Sequence, residues 1–258
     1  MIIAVTGANG ALAKKLIPFL ESFGHETIKI STSLNPDSQS NFSYQDLQSQ
    51  NIPKKVDVLI HLASINNDKS GGFTPADITK EVDLTRIVLN AMPSMGCSKL
   101  IFFSTYKIYG DASSLVAYDE TASSNPICSY GKAKLQCESL ICDQEANNLN
   151  SIIFRLPPIL DQSSISKLGR LMRFAKKKNP ILSLPEGETN QRSFASLTNI
   201  KFAMKYMLEE PSHIQGSQIF NLADDSFISI NGLLRALSGK DIYIAPKTIS
   251  RLVFCVPF

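Results

Sequence analysis

The chain has 258 residues, of which 43% are apolar and 19% charged, the profile of a globular protein with room for one large domain or two small ones. Its 26 basic and 23 acidic side chains leave a net charge of +3 without a stripe of lysine and arginine, which argues against a nucleic-acid partner. Five cysteines (Cys97, Cys128, Cys137, Cys142, Cys255) form no C-x-x-C pair, and His25, His61 and His213 fall into no ligand spacing. The reading is therefore reduced thiols, no metal site and a cytoplasmic setting.

The first element is the apolar run "IIAV" at 2–5, too short for a signal peptide or a membrane span. "VTGANGALAKKL" follows it and opens a helix expected over 10–23. Gly7, Gly10 and Ala13 stand at G-x-x-G-x-x-A spacing. The first glycine suits a tight turn, the second lets backbone approach a pyrophosphate, and the third position needs only to be small. A helix N-terminus offers free N–H groups and a positive dipole end to phosphate. Gly7, Asn9, Gly10, Ala11 and Leu12 are thus the candidate cradle of a dinucleotide.

"HETIKIST" at 25–32 reads as the second strand. A carboxylate usually ends that strand and holds the ribose 2′-hydroxyl; here Ser31, Thr32 and Ser33 stand instead. Lys14, Lys15 and Lys29 could supply counter-charge to a 2′-phosphate. NAD and NADP both stay open, with a lean to NADP.

Further apolar runs are "VDVLIHLA" at 56–63, "KLIFFS" at 99–104 and "SIIFRL" at 151–156, separated by helical spacing over 76–95 and 129–147. Near-continuous apolar strands alternating with helices predict an α/β fold, a doubly wound parallel sheet of the Rossmann type. Beyond 156 the pattern loosens. "LPPILDQSS" reads as a loop, 165–178 as a helix (with the basic cluster at 170–178 on its solvated face), and "NPILSLPEGETNQRSF" is punctuated by Pro and Gly. A helix at 198–209, a strand at "SQIFNLA" and a helix at 229–238 follow. The expected domains are a dinucleotide-binding core over 1–156, with 191–224 returning to it, and a smaller substrate lobe over 157–190 and 225–258. The apolar ending "RLVFCVPF" is expected either to dock into the fold or to continue into something longer.

"SYGKAK" at 129–134 sets Tyr130 four positions before Lys134, on one helix face. A surface helix can carry such a pair for solubility alone. The alternative is acid–base chemistry. A tyrosine of pKa about 10 is only ~0.1% ionised at neutral pH, a handicap of about 4 kcal/mol, and a neighbouring ammonium favours the phenolate. Thr105, at the end of a parallel strand, could hydrogen-bond the same substrate oxygen or simply cap the strand. Tyr109 and Gly110 read as shaping the turn that follows.

In chain order, "TGANGALA", "DVLIHLAS", "FFSTYKIYG", "SYGKAK" and "FRLPPIL", with the weaker "RSFASLTNI" and "IFNLADD", resemble the extended short-chain dehydrogenase/reductase group, the NAD-dependent epimerase/dehydratase family. The resemblance implies Tyr130 as the catalytic tyrosine, Lys134 as its partner and Thr105 as the hydroxyl that polarises the substrate. It implies further cofactor contacts at Leu62, Ala63, Ser64, Tyr130, Lys134 and Leu156, a nucleotide-sugar substrate that Arg192 could meet, and a homodimer. Glu81 stands where the family commonly has asparagine, and Tyr106-Lys107 stand where family dehydratases carry Asp-Glu, which disfavours dehydration. The functional reading is an NAD(P)-dependent 4-epimerase or 4-keto-sugar reductase. The alternatives are a reductase of another small carbonyl compound and a non-catalytic dinucleotide-binding sensor, the latter having no need of a tyrosine–lysine pair.

Overall fold

The structure is a computed structural model that describes residues 1–32, 41–52, 55–65, 72–110, 117–161, 182–183, 191–225, 227–238 and 243–244. The helix expected over 165–178 and the terminal "RLVFCVPF" lie outside them. Two compact units divide the chain, Met1–Leu156 with Ile200–Leu222, and Pro157–Asn199 with Ala223–Phe258.

In order, the elements are β1 (Ile2–Thr6), α1 (Ala13–Ser22), β2 (Glu26–Ile30), β3 (Asn41–Phe42), α2 (Tyr44–Gln48), β4 (Val58–His61), α3 (Pro75–Ala91), β5 (Lys99–Thr105), α4 (Ser129–Cys142), β6 (Asn150–Leu156), β7 (Ile159–Leu160), β8 (Leu182–Ser183), β9 (Gln191–Arg192), β10 (Ala195–Ser196), α5 (Leu197–Glu209), β11 (Ser217–Asn221), β12 (Ile228–Ser229), α6 (Ile230–Ser238) and β13 (Tyr243–Ile244). Short 3₁₀ turns at Pro93–Met95, Tyr106–Tyr109, Asp143–Asn147 and Pro211–His213 link some of them. None of the described helices is long and apolar enough to cross a membrane.

The first unit is built on a seven-stranded parallel sheet in the order β11-β6-β5-β4-β1-β2-β3. Reversal of strand order beside β1 is the signature of the Rossmann arrangement, in which ligands bind outside the strand C-termini at the switch point. Register places Thr6 beside Ile30 and His61, and Thr105 beside Leu156, so these strand ends share one edge of the sheet. The strands are apolar because both faces are covered: Ile3, Leu59, Leu100, Phe102 and Ile153 are fully buried.

The helices explain where the site forms. α1 buries Ala13, Leu16, Ile17 and Leu20, an uninterrupted apolar stripe at helical spacing. α3 and α4 differ. α3 buries Asp77, Glu81 and Thr85 alongside Val82, Val88 and Ala91, and α4 buries Lys134 and Glu138 alongside Ala133, Cys137 and Ile141. Charged residues on core-facing positions need partners. The packing of the two helices supplies them for Glu81 and Lys134, while Glu138 is met by Arg155 of β6 and Asp77 by Thr74 at the start of α3.

In the second unit β7 pairs with β10 and β8 with β13 in parallel, while β9 pairs with β12 antiparallel. Asp224 accepts hydrogen bonds from Ser196 N (2.9 Å) and Asn199 Nδ2 (2.7 Å), fastening the start of α5.

Candidate active site

The turn after β1 is the first component. Gly7 has φ +69°, and a Cβ there would lie 2.7 Å from the backbone of Ala63, so only glycine lets the turn pass the end of β4. At Gly10 an added Cβ would meet only the Gly7 carbonyl, at 3.0 Å, and otherwise open space. The chain then enters α1 through Leu12 with no side-chain cap and no acidic residue in the first turn. Gly10 thus leaves room that a side chain would fill, at a helix N-terminus no carboxylate neutralises. These residues fit a dinucleotide pyrophosphate. Asn9 Nδ2 donates to Ser31 Oγ (3.2 Å), joining the cradle to the end of β2, where Ser31 is buried and Thr32 exposed. Lys29, one of the candidate counter-charges, is instead paired with Glu21 at 3.1 Å.

The second component is the N-terminal half of α4. Cys128 Sγ accepts from Gly131 N at its start, and a Cβ on Gly131 would lie 2.6 Å from the Lys107 carbonyl, so α4 packs closely on the turn after β5. This sets the Lys107 ammonium 5.7 Å from the Tyr130 ring centroid, while Phe73 meets the same ring edge-on at 5.5 Å. The Ser64 side chain, two residues past Leu62 and next to Ala63 in the loop after β4, lies near the Tyr130 phenol and favours its ionised form.

Lys134 is 2% exposed, which rules out a solubility pair. Its Nζ lies 2.9 Å from Glu81 Oε1, 4.6 Å from the Phe102 ring centroid and 6.0 Å from that of Tyr130. Glu81 is itself 1% exposed, and its other oxygen accepts from Ile65 N at 2.6 Å. One buried carboxylate thus holds both the lysine and the loop that carries Ser64. Burial lowers the ammonium pKa, but the Glu81 carboxylate reverses this and the net shift is upward. The phenol corrects an expectation. Burial pushes the Tyr130 pKa up, Lys134 pulls it down, Glu81 pushes it up again, and the balance is upward rather than downward.

Beneath lies a buried polar chain. His61 Nδ1 hydrogen-bonds Thr6 Oγ1 (2.6 Å) and Nε2 hydrogen-bonds Thr85 Oγ1 (3.2 Å), which reaches Cys137 Sγ at 3.2 Å. Burial takes the His61 pKa down to about 3, so the ring is neutral. On the other side of α4, Glu138 receives Arg155 Nη2 at 2.8 Å and the Ser104 hydroxyl. Arg155 also donates to Tyr109 Oη (3.0 Å), which donates to Asn221 Oδ1 (2.8 Å), so Tyr109 links β6 to β11.

Of the candidate residues, the first unit brings Gly7, Asn9, Gly10, Ala11, Leu12 and Ser31 to the turns after β1 and β2. It sets Ser64 near Tyr130, with Lys134 one turn further along α4. Thr105 is buried and its hydroxyl accepts from Lys107 N at 3.4 Å, capping the turn while keeping its proton to donate. Leu156 is buried at the end of β6. Arg192 lies exposed on β9 of the second unit. Phe73 was not foreseen at the site; Glu81 and Lys107 were marked only as departures from the family pattern, without the pairing of Glu81 to Lys134 or the approach of Lys107 to Tyr130. A signal for Glu81 did exist, since it stands four residues before Thr85 on the inner face of α3.

The sheet order and the glycine turn define a Rossmann-type dinucleotide-binding fold. The model of the NAD dependent epimerase/dehydratase family matches residues 3–223, and the chain belongs to that family. The rice (Oryza sativa subsp. japonica) protein named "Probable UDP-arabinose 4-epimerase 3" is 28% identical over 141 residues, 51% of this chain and 34% of that one. A protein of the same named type from Arabidopsis thaliana is 28% identical over 155 residues, and the chain spans only 37% of its length. Among solved structures, the UDP-N-acetylglucosamine 4-epimerase of Bacillus cereus superposes with a TM-score of 0.77 at 19% identity, covering 98% of this chain and 92% of that one. The UDP-glucuronic acid 4-epimerase of Bacillus cereus in complex with NAD gives 0.74 at 22% identity, over 95% and 86% of the two chains.

Proposed function

We propose that the chain is an NAD(P)-dependent enzyme acting on a sugar nucleotide by hydride transfer, a 4-epimerase or a 4-keto-sugar reductase with Tyr130 as the acid/base. The observation that carries this reading is Tyr130 with the buried Lys134 ammonium one helical turn along α4, its Nζ 6.0 Å from the Tyr130 ring centroid. Named activities of the plant relatives and of the solved neighbours support a UDP-sugar as substrate. Gly7, Asn9, Gly10, Ala11 and Leu12 would hold the pyrophosphate, Ser31 and Thr32 the adenine ribose, and Leu62, Ala63, Lys134 and Leu156 the nicotinamide end. The bound dinucleotide supplies the hydride acceptor or donor, a step no side chain performs.

The chain's own residues handle the proton. Oxidation of a secondary alcohol needs a base at its hydroxyl, and reduction of a ketone needs an acid at its oxygen. Tyr130 serves either way, moving one proton between its Oη and the substrate oxygen, while the Thr105 hydroxyl donates a second hydrogen bond to that oxygen. Lys134 stabilises the phenolate by charge. Absence of a carboxylate at Ser31–Thr32 removes the usual penalty on a 2′-phosphate and supports NADP binding at least as well as NAD. Arg192 as a diphosphate ligand and assembly as a homodimer belong to the same reading; light scattering checks the latter.

Tyr130→Phe tests the assignment. It keeps the ring packing against Phe73 and deletes the transferable proton, so turnover on a panel of UDP- and dTDP-sugars and their 4-keto forms should fall roughly 10²–10⁴-fold with cofactor binding retained. Full activity in this variant would move the non-catalytic reading ahead.

A further inference from the structure

Glu81 has no part in the chemistry just described, yet it is among the most thoroughly buried charges in the first unit. Both of its oxygens are used, Oε1 at 2.9 Å from Lys134 Nζ and Oε2 at 2.6 Å from Ile65 N. The lysine therefore does not stand as a bare cation beside the phenol. Its nearest charge is an anion 2.9 Å away, while the Tyr130 ring centroid is 6.0 Å away. Seen from Tyr130, an ammonium and a carboxylate in contact form a dipole whose field falls off faster than that of a single charge.

We propose that Glu81 is a positioning residue that fixes the Lys134 ammonium and cancels much of its charge, so that Tyr130 keeps its proton and the site is biased toward giving a proton to a carbonyl oxygen over taking one from an alcohol. The inference rests on the acid/base reading of Tyr130 and narrows it, favouring a keto-sugar as the substrate that enters the site and hence the reductive direction. The proton balance is simple. In reduction the neutral phenol loses its proton to the substrate oxygen as hydride reaches the carbon, leaving a phenolate that solvent reprotonates. In oxidation the phenolate must form first, and in this site it forms beside a carboxylate.

Other charged or titratable groups face the pair from each packed element. From α2 comes the Tyr44 phenol, whose pKa burial pushes up to about 12, and from β4 the neutral His61. From α4 come Cys137, its thiol pushed up to about 11 by burial, and Glu138, which is committed to Arg155. From the turn after β5 comes the Lys107 ammonium, 5.7 Å from the Tyr130 ring centroid. Lys107 is the one net cation among them on the solvent side, and it acts equally with and without Glu81.

The primary readout titrates the apo protein and needs neither substrate nor cofactor; activity is a second readout. Tyrosinate absorbance is followed against pH for the parent and for Glu81→Gln, each minus its own Tyr130→Phe version, which isolates the Tyr130 step from the other six tyrosines of the chain. Glu81→Gln keeps shape and a hydrogen-bond acceptor for Lys134 while removing the negative charge. As long as Lys134 holds its proton, the Tyr130 step should move down by about one pH unit or more, a shift that adding Lys134→Met should abolish, and the alkaline rise of the alcohol-oxidation profile should move down with it. Circular dichroism and melting identify the folded variants, and Glu81→Asn offers a second neutral replacement should Glu81→Gln not fold. A Tyr130 step that stays in place or moves up in the folded variant overturns the proposal. If the step moves but Tyr130→Phe retains full activity, the catalytic reading fails and the electrostatic one stands. If Tyr130→Phe is inactive and the step does not move, only the role of Glu81 falls.

Discussion

Gly7 and Gly10 stand three residues apart in one turn, yet adding a methyl group to each should have opposite consequences. At Gly7 an alanine would hold φ +69° against the preference of an L-residue and drive its Cβ to 2.7 Å from Ala63 Cα and N, both backbone atoms of a strand end that cannot swing away. The left-handed conformation costs about 1–2 kcal/mol and forced overpacking about 1–3 kcal/mol, so Gly7→Ala should lose roughly 2–5 kcal/mol of stability. For a unit of this size that lowers Tm by roughly 5–15 °C. At Gly10 the added Cβ meets only the Gly7 carbonyl, at 3.0 Å, and a shift of a few tenths of an ångström relieves it. Gly10→Ala should therefore cost under about 1 kcal/mol. Its effect falls on binding, and Gly10→Val, with a branched side chain where the pyrophosphate approaches, should weaken NAD(P) at least tenfold, about 1.4 kcal/mol. Thermal melts of Gly7→Ala and Gly10→Ala read the first contrast, and calorimetric titration of Gly10→Val with NAD and NADP reads the second. A folded Gly10→Val of undiminished affinity would refute the cradle assignment, and a Gly7→Ala as stable as the parent would refute the steric argument.

Three other outcomes are expected. Lys134→Met should cost roughly 3–5 kcal/mol by stranding the Glu81 carboxylate, and adding Glu81→Gln should recover much of that loss; urea unfolding that finds the two changes additive would mean the pair is not coupled. The His61 ring, with a folded pKa of about 3 against 6.5 in the unfolded chain, contributes stability that is intact above pH 6.5 and is lost as pH falls toward 3, because only the unfolded state takes up the proton in that window. Stability measured across it should fall by up to about 1.4 kcal/mol per pH unit more in the parent than in His61→Gln, and equal slopes would show that the ring titrates normally. Side-by-side titration should find NADP binding at least as well as NAD, and a tenfold preference for NAD would contradict the reading of Ser31 and Thr32.

The fold was legible because its main signals are periodic and local. Four apolar runs, a glycine turn between the first of them and a helix, and Tyr130 four residues before Lys134 each fall within a short window. What was not legible depends on contacts across the sheet. Glu81 is separated from Lys134 by more than fifty residues, and only the packing of α3 on α4 makes it the lysine's partner. The sign of the Tyr130 shift followed the same path. Sequence reading counted the ammonium and could count neither the burial nor the carboxylate. The sequence did carry one unused clue, since Lys134 and Glu138 share a helix stripe with Cys137 and Ile141, which places two charges on an otherwise apolar face.

That stripe also bears on why the charges are kept. A buried ion pair is weak evidence for stability, because well-packed apolar residues often do as well or better. Here two pairs act on one helix with opposite polarity. Lys134 of α4 reaches Glu81 of α3, and Glu138 of α4 reaches Arg155 of β6. Tyr130, Lys134 and Glu138 are spaced by four residues, so sliding α4 by one turn would bring either a second carboxylate or a phenol against Glu81 while leaving Arg155 without its partner. Apolar residues at 134 and 138 would tolerate such a slip, whereas the charged pair penalises it by stranding ions in a dry interior. The ion pairs therefore select one register for the helix that carries Tyr130. The phenol is thereby held in one place beside Phe73 and the turn after β5, and on the proposed acid/base reading a displacement of about an ångström would cost on the order of 10²-fold in rate.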